Sequence, residues 1–554
     1  MSLASETLDN NGSSKNSSKS SSNSNYHSVS NEFHTVMNGN VSTDTLREET
    51  TNGVNKKLEE IKKNMLELNK NMENLLNEIS KKKNEMSLST MKELLYNVEK
   101  YRDKKQGKDG VLPDKEFQER NSLLTELFEI THIRTIYNLF MVSFIYLALI
   151  TVVNDFQETG WWYLFGTNTI LKAFDKFPIC FGIWCVMQIS AVGVYVAFKI
   201  WSVYRLHLMP KSLPVKLWDY SWLTLFIIYQ VLFIIFPTKM ILNEDLPIAC
   251  SGIVLMEQIR FMMKNHAFVR SSVPRFLSYK PHTEVSLPIC PGFSQYLYFL
   301  FAPTIIYRDK YPRFRTKQIK WMVIVRNFVE VILVIFYLAF ITERFLAPVF
   351  SVFGTRSLDR EWIVKNVLEA SVPGIMFFIS GNYLLLHAWL NAWAELLQFA
   401  DRRFYMDWWN CTSYRNYYRT WNAVVHDWLY TYIYKDMYEH VTPRNKTLAA
   451  FAVFFISAIV HEYILAFMFR FFYPVMFVMF GGLGYSLTFV GKVTAAGNVF
   501  MWLSFCLGNG IMFSFYAMEY YARINCLPRP SYYWDLFLPR SWDCQPLASF
   551  RASG

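Results

Sequence analysis

Long apolar runs follow one another along most of the chain after residue 134. A helix needs about 20 mostly apolar residues to cross the roughly 30 Å hydrocarbon core of a bilayer. The runs therefore predict an all-α polytopic membrane domain over residues 134–554, with about nine transmembrane helices. The predicted spans are 137–156, 177–198, 217–236, 246–263, 321–342, 363–386, 447–468, 471–490 and 498–520.

Two of these runs are irregular. Glu257 and Arg260 interrupt the span 246–263, and charges at such positions favour a tilted helix or a helix that lines a cavity. Pro373 lies within the span 363–386 and predicts a kink, because proline removes one backbone donor from the helix.

Polar residues dominate before the first span. Residues 1–50 are rich in Ser and Asn, lack the apolar stretch of a signal peptide, and are predicted to be a disordered cytosolic tail. A seven-residue apolar repeat then predicts a coiled-coil helix over 54–86 through which the chain self-associates. The alternative is a helix that packs against the chain's own membrane domain. Residues 87–133 are predicted to form a cytosolic linker with an amphipathic helix. The repeat consists of Val54, Leu58, Ile61, Met65, Leu68, Met72, Leu75 and Ile79.

Composition agrees with a membrane protein. Apolar residues make up 52% of the chain and charged residues 18%, against about 25% charged residues in soluble domains. These values exclude a soluble globular enzyme, a collagen and a disulfide-rich secreted domain. The formal net charge of +11 is expected in cytosolic loops rather than in a nucleic-acid site, since the basic residues are scattered.

The distribution of Lys and Arg predicts the orientation. The loops within 199–216 and 264–317 are basic and lie on one side if every span is real, which places the N-terminus in the cytosol. Nine spans then put the C-terminus in the lumen. Cys526 and Cys544 would lie in an oxidising compartment, where a disulfide is expected; two unpaired thiols are the alternative.

Two regions carry candidate chemistry. His461 lies in a strongly apolar span, where an ionisable residue is costly and usually functional; the alternative is a histidine that only bonds between helices. The stretch 404–436 is dense in aromatic and basic residues and is predicted to be amphipathic or re-entrant at the cytosolic face. Aromatic anchoring does not by itself explain Asn422 and His426 within it. The basic residues would bind lipid headgroups or the phosphates of a nucleotide-like cofactor.

Several common motifs are absent from the sequence. It contains no GxSxG, Walker A, CxxC or GxGxxG pattern. A serine hydrolase, an ATP-driven pump and a dinucleotide oxidoreductase therefore lose support. A buried base, a polar aromatic patch and a basic entrance suit the transfer of an already activated group to a lipid-soluble acceptor.

At these residues the chain resembles the sterol O-acyltransferase branch of the membrane-bound O-acyltransferase superfamily. FYMDWWN at 404–410 matches the FYxDWWN motif that sterol and diacylglycerol acyltransferases share, and RTWNAVVHDWLYTYIYKD at 419–436 is similar to the sterol branch. The resemblance covers roughly residues 120–550. It continues through 257–270, 296–313, 387–396 and 457–466.

The resemblance implies a nine-span enzyme of the endoplasmic reticulum membrane that forms homodimers or homotetramers. It implies that His461 and Asn422 are catalytic, that Trp421 beside Asn422 takes part with it, and that His387 has a supporting role. Positions that match the acyl-CoA tunnel are Asn416, Tyr418, Arg419, His426, Tyr434, Lys446 and Ser457. The motif residues are Phe404, Tyr405, Asp407, Trp408, Trp409 and Asn410.

The expected reaction is acyl transfer from acyl-CoA to a sterol hydroxyl. His461 would act as general base, and Asn422 would bond the carbonyl or orient His461. Acyl-CoA would be a co-substrate, and no metal or cofactor is expected. The alternatives are a diacylglycerol or fatty-alcohol O-acyltransferase on the same fold and, more remotely, a non-catalytic sterol-binding membrane protein.

Overall fold

The computed structural model describes most of the chain after residue 111. The predicted tail (1–50) and the predicted coiled-coil helix (54–86) lie outside the described residues. From Asp114 onward, the described residues belong to one compact unit. The described ranges are 112–159, 166–279, 288–314, 318–355, 360–442, 444–490 and 496–546.

Helices account for the regular structure of the described ranges, which confirms the all-α prediction. The α-helices are α1 (Leu123–Leu127), α2 (Thr131–Thr159), α3 (Thr167–Phe174), α4 (Phe177–His207), α5 (Leu213–Asn243), α6 (Ile248–Leu277), α7 (Phe293–Phe301), α8 (Trp321–Ile341), α9 (Ala347–Phe350), α10 (Arg360–Asn382), α11 (Leu390–Leu396), α12 (Tyr414–Thr420), α13 (Ala423–Leu429), α14 (Lys446–Phe469), α15 (Tyr485–Leu487), α16 (Ala496–Asn525) and α17 (Tyr532–Phe537). The π-helical segments are Thr342–Leu346, Tyr383–Trp389, Tyr430–Tyr434, Met437–Val441 and Phe477–Gly484.

Seven helical segments of the described ranges are long and apolar enough to cross a membrane. The predicted span 246–263 falls in α6, whose charged residues lower its hydropathy, and the predicted span 471–490 contains the shorter apolar helix Phe477–Leu487. The total of nine spans therefore stays a prediction. Pro373 lies inside α10. The seven segments are Thr131–Gln157, Phe177–His207, Leu213–Asn243, Trp321–Phe350, Glu361–Leu396, Lys446–Phe469 and Ala496–Asn525.

A proline inside α5 is compensated by a neighbouring helix. Pro237 has no backbone N–H, so it cannot bond the carbonyl of Phe233 one turn earlier. The Gln258 amide of α6 donates to that carbonyl and to the carbonyl of Ile234, each at 2.8 Å. The Tyr463 hydroxyl of α14 donates to the other end of Gln258 at 2.8 Å. This polar group ties α5, α6 and α14 together.

Two charged residues of α6, Arg260 and Lys264, bond to the end of α7. Glu257 and Arg260 form an ion pair of 2.6 Å, and Arg260 also donates to the Leu300 carbonyl at 2.9 Å. Lys264 is almost fully buried, and its ammonium group satisfies carbonyls that the helix end leaves without intrahelical partners. Its acceptors are the carbonyls of Phe299 (2.6 Å), Leu300 (2.9 Å) and Ala302 (2.8 Å).

The C-terminal segment folds back onto the end of α16. Cys526 and Cys544, the pair expected from the sequence, are joined in a disulfide. The fully buried Glu519 carboxylate accepts the backbone N–H groups of Arg540 at 3.0 Å and Ser541 at 2.9 Å. These contacts hold the segment in place outside the helical core.

Candidate active site

His461 lies in the second half of α14, a 24-residue apolar helix. The helix begins after Asn445, whose side-chain oxygen accepts the Leu448 N–H at 3.0 Å. Nδ1 of His461 lies 2.7 Å from the Ser457 carbonyl. Because a carbonyl oxygen only accepts, Nδ1 carries the proton, and Nε2 is left with the lone pair of the neutral ring. The local helix thus sets the tautomer that a general base needs.

Glu462 is a buried carboxylate directly after His461. It accepts the Phe477 backbone N–H at 3.0 Å and the Tyr516 hydroxyl at 3.1 and 3.2 Å. These bonds connect α14 to the segment Phe477–Gly484 and to α16. Glu462 was not predicted as a site residue, although a carboxylate inside an apolar span is itself a signal.

One aromatic ring connects the two halves of the site. Phe480 has its ring centroid 5.2 Å from that of His461 and 5.5 Å from that of Tyr418. Tyr418 is buried and also packs against Phe454 of α14, at 5.0 Å between ring centroids. The helix that carries His461 is therefore packed against α12, which leads to Asn422.

Asn422 stands between α12 and α13, and α13 continues directly into the π-helical segment Tyr430–Tyr434. Its side-chain oxygen accepts the Val425 N–H at 3.1 Å and so caps the start of α13. This cap leaves Nδ2 as the group with which the amide can donate to a substrate. Trp421 stacks on Tyr417, with ring centroids 6.1 Å apart and planes 13° apart. We call Thr420–Ala423 the Asn422 corner.

The first part of the FYxDWWN motif holds this corner through backbone hydrogen bonds. The Ala423 N–H donates to the Phe404 carbonyl at 2.9 Å, and the Met406 N–H donates to the Thr420 carbonyl at 2.8 Å. Phe404 itself is buried. The motif thus supports the corner at both of its ends.

The second part of the motif contacts α16. A 3₁₀ turn, Trp408–Asn410, follows Asp407. The Trp409 carbonyl accepts from the Asn498 amide at 2.9 Å and from the Trp502 indole at 3.2 Å. The Trp408 ring also packs against that of Trp502, with 5.8 Å between their centroids, so this part of the motif belongs to the scaffold of the site.

His387 belongs to a buried hydrogen-bonded group that includes the motif residue Tyr405. Its Nδ1 lies 2.7 Å from the Tyr405 hydroxyl, 3.2 Å from Ser122 Oγ and 3.2 Å from the Asn391 amide. Ser122 and Tyr405 also bond to each other at 3.0 Å. This arrangement gives the predicted supporting histidine a specific contact, the motif tyrosine.

His426 and Tyr434 belong to one column of stacked rings. The column is built from side chains four residues apart in a helix, and its ring centroids are 6.5, 5.8 and 6.1 Å apart. Burial lowers the pKa of His426 to about 4, so the ring is neutral at pH 7. Its Nε2 has no hydrogen-bond partner among the described residues. The column consists of His426, Tyr430, Tyr434 and Tyr438.

The remaining predicted acyl-CoA residues lie on α12 and α14. Asn416 is exposed and Arg419 is partly buried on α12. Lys446 is the first residue of α14, and Ser457 Oγ lies 3.4 Å from His461 Nδ1. No group of three metal-ligating side chains occurs in the part of the chain that the structure describes.

Comparison with known proteins decides the family. The family model of the membrane-bound O-acyltransferases matches residues 170–518. The chain belongs to this family. It is 41% identical to Sterol O-acyltransferase 1 of Mus musculus over 434 residues, which are 77% of this chain and 79% of the relative. It is 37% identical to Sterol O-acyltransferase 2 of Homo sapiens over 432 residues, with 77% and 79% covered.

The part of the chain that matches the membrane-bound O-acyltransferase model includes both catalytic candidates and the whole FYxDWWN motif. It ends before Cys526 and begins after Ser122. The extended segment before α1 therefore lies outside the family match, although its Ser122 bonds to the motif tyrosine. Sequence patterns carry no signal for that contact.

Proposed function

We propose that this chain transfers a long-chain fatty acyl group from acyl-CoA to the 3-hydroxyl of a sterol, which yields a sterol ester. The observation that carries the proposal is the tautomer of His461, whose bond to the Ser457 carbonyl leaves Nε2 free of a proton inside an apolar span. The names of the relatives that are 37–41% identical supply the acceptor class.

The reaction needs one base and one donor. Nε2 of His461 takes the proton of the sterol hydroxyl as its oxygen attacks the thioester carbonyl, and general-base help of this kind is worth about 10²–10⁴-fold. Nδ2 of Asn422 donates to the developing oxyanion, a contact worth about 3 kcal/mol. The C–S bond then breaks, and the sulfur receives the proton from His461 and leaves as free CoA. No metal or further cofactor is required.

The two substrates reach the site by different routes. CoA is charged and enters from the cytosol, near Arg419 and Lys446. The unpartnered Nε2 of the buried His426 offers it a further polar contact. The sterol is apolar and enters sideways from the bilayer. We place the enzyme in the endoplasmic reticulum membrane with a cytosolic N-terminus and a lumenal C-terminus, as a homodimer or homotetramer assembled through residues 54–86.

The test is an acceptor assay in cells that lack sterol ester synthesis. Membranes that contain wild type, His461→Ala or His440→Ala receive labelled oleoyl-CoA with cholesterol, a diacylglycerol or a long-chain alcohol. His440 is exposed at the end of a π-helical segment and controls for the loss of a histidine as such. We expect sterol ester from wild type and His440→Ala, and little from His461→Ala.

Two results would contradict the proposal. Triglyceride or wax ester in place of sterol ester would show that the acceptor is another lipid, while the assignment of His461 as the base would stand. Sterol ester formed at a near-normal rate by His461→Ala would show that His461 is not the general base.

A further inference from the structure

An extended segment crosses the scaffold of the site before the first span. We call Lys115–Ser122 the strap. Three of its side chains bind three separate parts of that scaffold: α13, the loop before the FYxDWWN motif, and the buried group around His387. The contacts are Lys115 with Asp427, Arg120 with Asp401, and Ser122 with His387 and Tyr405.

The first contact acts on the helix that Asn422 caps. Asp427 lies on α13, and the Lys115 ammonium group pairs with its Oδ2. Burial by itself would raise the pKa of Asp427, but Lys115 and His426 hold it below its ordinary value. Asp427 is therefore ionised with Lys115 as its counter-ion. Removal of Lys115 would leave a largely buried carboxylate without its cation, a costly arrangement.

The second contact acts on the other support of the Asn422 corner. The Arg120 guanidinium binds both oxygens of Asp401, at 2.6 and 3.2 Å. The Arg120 N–H also donates to the Ala400 carbonyl at 2.9 Å, and the Arg402 N–H donates to the Arg120 carbonyl at 3.1 Å. This loop continues directly into Phe404, whose carbonyl holds the corner.

The strap also shares one small pocket with the two elements that flank the Asn422 corner. Lys115 and Phe117 line it together with Phe404, Val424 and Asp427. The pocket wall thus contains the strap, the start of the motif and the first turn of α13. A shift of the strap would be transmitted to both supports of Asn422.

We propose that the strap positions Asn422, and that Lys115 is a positioning residue for acyl transfer through its ion pair with Asp427. The inference rests on the proposed function for its kinetic consequence. α13 is the first part of a helical segment that continues through Tyr430–Tyr434 to Val441, and the first turns of a helix depend on their cap and on side-chain contacts. The position of this helix start beside Asn422 therefore depends on the cap and on the ion pair, and a small misplacement of a reacting group costs roughly 10- to 100-fold in rate.

The experiment compares Lys115→Ala, Lys115→Arg and Asp114→Asn in the full-length enzyme. Asp114 is the matched control, because it precedes the strap and forms an ion pair with Lys435 at 2.7 Å but is 65% exposed. We expect Lys115→Ala to lower kcat roughly 10-fold or more with little change in the KM for acyl-CoA. Lys115→Arg should restore most of the rate, and Asp114→Asn should match wild type.

Hydrogen exchange supplies a readout that does not depend on the reaction. In Lys115→Ala, the backbone amides of residues 423–429 should exchange faster than in wild type, while those of the second half of α14 should not change. In the Asp427→Asn background, Lys115→Ala should add little to either effect, because the carboxylate that it would strand is already gone.

Wild-type kcat and exchange in Lys115→Ala would overturn the inference, as would a loss that Lys115→Arg does not restore. If wild type makes no sterol ester, the proposed function is wrong. The exchange difference over residues 423–429 would still report whether the strap holds α13.

Discussion

The two halves of the site are held by different means. His461 lies on α14, a 24-residue apolar helix whose neighbouring residues Glu462 and Tyr463 bond to other helices. Asn422 lies at the corner between α12 and α13, and backbone hydrogen bonds from the motif hold that corner. The His461 half is a stable helix, and its bonds to other helices fix only its rotation about its own axis. The Asn422 half is a corner whose conformation depends on the bonds from its neighbours.

The physical reason is how the backbone groups are satisfied. In hydrocarbon, every backbone group must be satisfied within the helix, so α14 is stable by itself. At the Asn422 corner the helical hydrogen-bond pattern stops, so its backbone groups depend on the bonds from the motif. Substitutions around His461 should therefore affect stability and activity together, whereas substitutions around Asn422 should mainly affect alignment.

The sharpest test of this difference replaces the amide of Asn422. Asn422→Asp keeps an oxygen that can cap α13 but loses the donor, and Asn422→Ala loses both. We expect kcat to fall about 10²–10³-fold in both variants, and only Asn422→Ala to lose about 1 kcal/mol of stability. Initial rates and thermal unfolding in detergent separate the two effects. A near wild-type kcat in Asn422→Asp would show that the amide does not contact the oxyanion.

The next test removes the carboxylate beside His461. Glu462→Leu leaves the Phe477 N–H and the Tyr516 hydroxyl without their acceptor, and each buried unsatisfied group costs about 1–3 kcal/mol. We expect a clear drop in the unfolding temperature together with lost activity. Glu462→Gln, which retains one acceptor oxygen, should lose less of both. If Glu462→Leu has the unfolding temperature of wild type, the buried contacts of Glu462 do not stabilise the His461 half of the site.

A third test acts where the halves meet. A Cβ on Gly484 would collide with the Tyr418 hydroxyl, and overpacking of this kind costs about 1–3 kcal/mol. We expect Gly484→Ala to raise the KM for acyl-CoA, because Tyr418 is displaced. Tyr418→Phe in the same protein removes the colliding oxygen and should restore part of the loss. Equal KM values in Gly484→Ala and wild type would mean that the two halves move independently at this contact.

The smallest expected effect concerns the motif tyrosine. Tyr405→Phe removes the hydroxyl that His387 and Ser122 share, at a cost of about 1 kcal/mol. Its combination with Ser122→Ala should cost less than the sum of the single changes, because both disrupt one buried group. Chemical or thermal unfolding of wild type, the two single variants and the double variant measures the coupling energy. Strictly additive losses of stability would show that Ser122 and Tyr405 are not energetically coupled.

The sequence predicted the elements that depend on local pattern. Seven of the predicted spans correspond to helices long and apolar enough to cross a membrane, since hydropathy over about 20 residues decides insertion. The same logic identified His461, because an ionisable residue stands out in an apolar run. The roles of the FYxDWWN motif and of Asn422 came from resemblance, and the structure adds what that could not provide, the backbone bonds between them.

Only the tertiary structure shows which residues far apart in the sequence pair with each other. Lys115 and Asp427 are 312 positions apart, and Glu462 and Tyr516 are 54 apart. Nothing in the surroundings of either member indicates its partner. The same holds for Lys264, which the sequence pattern assigned to a basic loop, whereas in the structure it lies within α6 and caps the end of α7. Hydropathy is a property of each segment and can be calculated from it alone, whereas an ion pair or a shared hydrogen bond is a property of two segments and exists only after they have packed.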